Sequence, residues 1–156
     1  MHINPDHFLV TESGRVVTAE RNKVAWEQCY RVLAEELARQ RSASEVFLLI
    51  GPQGAGKRSW ARSYAAKNPS AILFDAILVK RDERAPILQA VREQSGTTVA
   101  VWFDTPLDIC ITRNATRPVD GRVPEQAIRN VHAALQAPSK DEGFDEITVI
   151  TAANAS

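Results

Sequence analysis

Cysteine is scarce, and what little there is excludes two classes of protein. Cys29 and Cys110 are the only two in 156 residues, and neither sits in a Cys-x-x-Cys pair or near a histidine cluster. A disulfide framework and a structural zinc site are therefore not indicated, and buried thiols are expected. Net charge is also missing. Nineteen Lys plus Arg balance nineteen Asp plus Glu, whereas a dedicated nucleic-acid-binding domain is usually strongly basic. No apolar run approaches the roughly 18 residues of a membrane span, and Met1-His2-Ile3-Asn4-Pro5-Asp6 has neither the basic nor the apolar region of a signal peptide. A cytoplasmic location is the expectation. Internal repeats are absent, and low complexity is confined to the short Ala/Ser-rich tail.

What is present reads as one compact domain of α/β class. At this length a chain buries roughly 70% of its unfolded surface, enough to need no covalent staple. Phe8-Leu9-Val10-Thr11 and Arg15-Val16-Val17-Thr18 flank Glu12-Ser13-Gly14 and predict a small hairpin. No Gly or Pro occurs from residue 19 to about 41, where Trp26, Tyr30, Leu33 and Leu37 form one helical stripe. The stripe must be covered, by the chain's own following domain or by a protein partner or second copy. After Ser42-Ala43-Ser44 strands and helices alternate. Apolar runs at 46–50, 71–74 and 99–103, with a last strand at 146–150, suit a parallel sheet covered on both faces. Helices are expected at about 57–66, 84–93, 106–116 and 124–136, with Pro106 and Pro124 suited to first helical positions. The expected architecture is a three-layer fold with a short, about four-stranded parallel sheet. Residues 1–44 would be a hairpin-and-helix extension, and 45–156 the core.

The strongest chemical signal is Gly51-Pro52-Gln53-Gly54-Ala55-Gly56-Lys57, a G-x-x-x-x-G-K (Walker A) loop between a strand and a helix. Such a loop needs glycines so that successive backbone N–H groups, including that of Ala55, can curl round phosphate oxygens. The helix N-terminus adds a favourable dipole, and the lysine reaches the β and γ phosphates. ATP is the ligand this predicts, with Mg²⁺. One position departs from the pattern: Arg58 stands where a Ser or Thr hydroxyl would ligate Mg²⁺. Ser59 lies about 100° further round the helix and cannot replace it. Either the guanidinium neutralises phosphate directly, or the metal is held by phosphates, waters and a carboxylate.

Asp75 ends the second apolar strand at the sheet edge where ligands bind in open α/β folds. It is the candidate to orient Mg²⁺ through water, and for the base that takes a substrate proton. Asp104 ends the third apolar strand in the same way, with a turn or cap role the simpler account. Arg113-Asn114-Ala115-Thr116-Arg117 puts two arginines on one face of a helix end, before Pro118-Val119-Asp120-Gly121-Arg122. Such a segment can close over a nucleotide and offset phosphoryl charge. From Lys57 to Arg129 there are twelve basic against eight acidic residues. With Lys80, Arg81 and Arg84 among them, that bias could steer a phosphorylated substrate or form an ordinary solvated face. Trp60, Trp102, Phe74 and Phe103 are assigned to the core, and His7 and His132 receive no role.

Across residues 45–150 the chain resembles the polynucleotide kinase-like P-loop kinases. The likeness rests on the loop with Ser59-Trp60-Ala61-Arg62, on Arg113-Asn114-x-x-Arg117, and on Val123-Pro124 leading to Ala137-Pro138 and Glu142-Gly143-Phe144-Asp145-Glu146-Ile147. The resemblance implies ATP as donor, Arg113 and Arg117 as lid arginines, and a hydroxyl acceptor, commonly the 5′-OH of DNA or RNA. The family also carries a strand and loop with a general-base aspartate between the phosphate-loop helix and the strand ending Phe74-Asp75. Here only Asn68-Pro69-Ser70 stands between them. Three functions remain in view: a polynucleotide kinase, a small-molecule kinase, and a non-catalytic nucleotide-binding module.

Overall fold

A computed structural model describes residues 1–12, 14–40 and 44–151. Ser13 of the expected hairpin link, Ser42-Ala43 of the expected interdomain link and the Ala/Ser-rich tail lie outside them. The strands are β1 (His2–Ile3), β2 (Val10–Thr11), β3 (Gly14–Arg15), β4 (Glu45–Ile50), β5 (Ile72–Asp75), β6 (Thr97–Asp104) and β7 (Glu146–Thr151). The helices are α1 (Ala19–Arg39), α2 (Lys57–Lys67), α3 (Arg81–Glu93), α4 (Leu107–Ala115) and α5 (Glu125–Ala134).

The central sheet is parallel throughout and five-stranded, in the order β1-β5-β4-β6-β7. The four strands expected from the apolar runs are all there. The fifth is β1, two residues long, with His2 opposite Leu73 and Ile3 opposite Phe74. A strand that short has no periodicity to detect, and its pairing partner lies 71 positions along the chain.

Alternation in the buried strands sends side chains to two separate cores. Val46, Leu48 and Ile50 of β4 face one side with Ile72 and Phe74, covered by α1 and α3 through Cys29, Leu33, Leu37, Ile87 and Val91. Phe47 and Leu49 face the other with Leu73, Val101 and Phe103, covered through Ala61 of α2, Cys110 of α4 and Ile128 of α5. The Trp26 stripe is thus covered by the chain's own sheet: Leu33 and Leu37 are buried, while the Trp26 and Tyr30 rings lie 6.0 and 6.4 Å from that of Phe74. No protein partner is needed to cover it.

Local signals place the helix ends. Thr18 caps α1 by accepting from the Arg21 N–H at 3.2 Å. Pro106 and Pro124 each stand one residue before the helices they were expected to open. Helix α3 begins three residues earlier than expected, because the Glu83 side chain accepts from the Lys80 N–H at 3.1 Å, and it contains Pro86. The hairpin is shorter than expected, β2 pairing antiparallel with β3. Phe8 falls instead in a 3₁₀ turn, Pro5–Phe8, capped by the Asn4 side chain.

Both cysteines are buried and free, one in each core. Burial pushes the Cys29 thiol up to about 12, and raises that of Cys110. Neither is expected to react with a thiol reagent at pH 8 in the native protein, and both should react on denaturation. Stoichiometric labelling of the folded chain would contradict that burial.

Candidate functional site

The glycine loop links β4 to α2 at the carboxyl edge of the sheet. Gly54 (φ +83°) and Gly56 (φ +102°) are left-handed, the region that disfavours a side chain. Gly54 is doubly constrained: a Cβ there would come within 2.3 Å of the Cys110 carbonyl oxygen on α4. Buried Thr105 adds a tie, its hydroxyl donating to the Ala55 carbonyl at 3.3 Å. The Lys57 ammonium folds back over the loop and donates to the carbonyls of Gly51 at 2.7 Å and Pro52 at 3.2 Å. Burial holds its pKa below the usual lysine value, and the nearby Arg117 pushes the same way against Asp75 and Asp6. Gln53 Oε1 is buried with no hydrogen-bond partner among the described residues.

Arg113 reaches the loop, its Nη1 donating to the Ala55 carbonyl at 3.4 Å, whereas Arg117 lies beyond the end of α4, which stops at Ala115, and its charge helps lower the Lys57 pKa. Asn114 between them has a different task. Its side chain donates to the Val123 carbonyl at 2.8 Å and accepts from the Val123 N–H at 3.0 Å, closing the intervening loop onto α4. His132, from α5, lies 3.2 Å from the Thr105 carbonyl through Nε2.

Asp75 is buried, at 4% exposure, beside the glycine loop. Its Oδ2 accepts from Asn4 Nδ2 at 3.2 Å and lies 3.3 Å from His2 Nε2. Sequence reasoning missed this connection. Residues 2–7 reach the site through β1 and the turn after it, which the Asn4 side chain holds by accepting from the Asp6 N–H at 2.8 Å. The Asp6 charge is felt at both Lys57 and His7. Burial holds His7 below its usual pKa, helped by His2 and Arg58. The His2 and His7 rings meet edge to face at 5.2 Å. The available signal was Asn4-Pro5-Asp6, a cap and turn directly after a β-prone pair.

Two groups of expected candidates have other surroundings. Asp104 is exposed at the carboxyl end of β6, the same sheet edge as the glycine loop, in register with Thr151 and between Phe103 and Thr105, which both approach that loop. Arg84 is buried, held by Glu142 at 2.7 and 2.8 Å and by the carbonyls of Leu78 and Gln136. Arg81 pairs with Asp141 at 2.5 Å. Arg84 is thus an internal strut, while Arg81 is exposed and paired at the surface, which fits the solvated-face alternative and not substrate steering. The Glu-Gly-Phe-Asp segment is likewise structural: Phe144 is buried and Asp145 accepts from the Thr98 N–H at 2.7 Å.

Parallel order and glycine loop together define a P-loop nucleotide-binding fold. A family model described as an AAA domain matches residues 65–139, just under half of the chain. The match supports the P-loop NTPase superfamily, which includes kinase-like members. It begins after the glycine loop and takes in Asp75, Arg113 and Arg117. A search of the curated proteins found no match. Among the described residues no helix is long and apolar enough to cross a membrane, and no group of three or more His, Cys, Asp or Glu is placed to hold a metal ion.

The cradle fits a nucleotide's phosphates: two left-handed glycines shape it, and the Lys57 ammonium and Arg113 guanidinium reach its carbonyls. The fit to a directly coordinated Mg²⁺ is poor. The side chain after Lys57 is a cation, and Ser59 is exposed on the next helical position.

Proposed function

We propose that the chain is an ATP-dependent kinase transferring the γ-phosphate to a hydroxyl acceptor. The 5′-hydroxyl of a polynucleotide is the first acceptor to test, and a small-molecule hydroxyl the second. One observation carries this reading: Asp75 ends β5 beside the glycine loop and is tied through Asn4 to the turn that carries Asp6, so that two carboxylates gather at the sheet edge where Lys57 lies. A mere nucleotide holder has no need of carboxylates facing a bound polyphosphate.

The roles follow from position. Loop amides and Lys57 hold the β and γ phosphates. Arg113 and Arg117 offset the charge of the transferring group. The acceptor oxygen bonds to the γ phosphorus while the bond to the bridging oxygen breaks and ADP leaves. The acceptor's proton passes to Asp6, the carboxylate delivered by the turn after β1. Asp75 orients that turn through Asn4. The strand and aspartate expected between α2 and β5 thus have a counterpart ahead of the glycine loop in sequence.

Lys57→Ala should weaken ATP binding by at least about tenfold, read by titration calorimetry. Transfer is tested with γ-labelled ATP. Label on an oligonucleotide 5′ end supports the first acceptor, and label only on a metabolite excludes it. ATP binding without transfer to either class favours the non-catalytic module.

A further inference from the structure

Arg58 sits on the first turn of α2 directly after Lys57, and among the described residues its guanidinium makes no hydrogen bond or ion pair. Its location comes from the helix: it is exposed at the position directly after the lysine that reaches the loop carbonyls, where the phosphate-loop pattern puts the metal's hydroxyl ligand. The Arg58 charge also bears on His7, as do those of Asp6 and Asp75. Lys57 and Arg113 both reach the loop carbonyls and Arg58 follows Lys57 on α2, so the loop gathers cations that a polyanion would balance. A guanidinium suits the task, since it is always charged and presents a planar fork to phosphate oxygens.

We propose that Arg58 stands in for the metal at this site: its guanidinium binds the nucleotide's terminal phosphate oxygens directly, so that nucleotide affinity does not depend on a divalent cation. The inference rests on the nucleotide reading above and specifies how that site holds its ligand. It also accounts for the lost hydroxyl: with the cation supplied by the chain, a metal ligand after Lys57 has nothing to hold.

The test is calorimetric titration with ATP in excess EDTA and in millimolar Mg²⁺, on the native chain, Arg58→Ser, Arg58→Lys and Lys57→Ala. Native affinity is expected to differ by less than about threefold between the two conditions. Arg58→Ser should lose about tenfold or more in EDTA and recover part of it with Mg²⁺, because the new hydroxyl restores a ligand. Arg58→Lys should retain most of the EDTA affinity. Thermal melts check that each variant folds, which the exposed position favours. Native binding that requires Lys57 but needs Mg²⁺ by tenfold or more, with Arg58→Ser unchanged in EDTA, overturns the inference and leaves the nucleotide site standing. Absence of ATP binding in both conditions overturns both.

Discussion

Asp6→Asn is expected to lower phosphoryl transfer by about 10²–10⁴-fold, the usual contribution of a positioned proton acceptor, while ATP affinity changes by less than about threefold. The amide keeps the size of the side chain and removes its capacity to take the acceptor's proton. Its neighbour Lys57 loses a favourable charge but keeps Asp75, so donor binding survives. A kcat that falls while the dissociation constant for ATP holds is the signature to measure, with single-turnover kinetics to exclude a change in product release. A variant that transfers phosphate at the native rate removes Asp6 from the chemistry. Asn4→Ala supplies a second readout: it loses the hydrogen bond to Asp75 and the cap on Asp6, and should lower kcat through misplacement alone.

Arg84→Ala should destabilise the fold by about 3–5 kcal/mol, the cost of breaking a buried ion pair from one side. The Arg84 side chain is 0% and that of Glu142 4% exposed. Removing the guanidinium strands the carboxylate and leaves the Leu78 and Gln136 carbonyls without a donor. Such a loss is a large share of the roughly 5–15 kcal/mol by which domains are stable. Urea denaturation measures it, and a change below about 1 kcal/mol would mean that water replaces the guanidinium. ATP affinity of the still-folded variant should stay near native, which separates this arginine from Arg58, Arg113 and Arg117.

The comparison between Arg84 and Arg58 shows why charge patterns are hard to read along a chain. Both are arginines at helix starts near the loop or the sheet edge, yet one is buried against a carboxylate 58 positions away and the other is exposed beside the glycine loop. Nothing local to either residue states this. Arg113 and Arg117 were legible as a pair because they stand four positions apart near a phosphate loop, although α4 ends at Ala115 and leaves Arg117 beyond it.

What the sequence determined by itself is the set of features written in consecutive residues. These are the phosphate loop between strand and helix, the apolar runs of a two-faced parallel sheet, the α1 stripe and the paired arginines. Each depends on backbone geometry within a few turns or a few strand residues, so spacing suffices to find it. Tertiary structure alone decided the rest. It paired His2 and Ile3 with β5, brought Asn4 and Asp6 to Asp75 and Lys57, and set Glu142 against Arg84. A two-residue strand is stable only because a preformed edge offers it hydrogen bonds and a buried site for Ile3. That edge is built by residues some seventy positions further on.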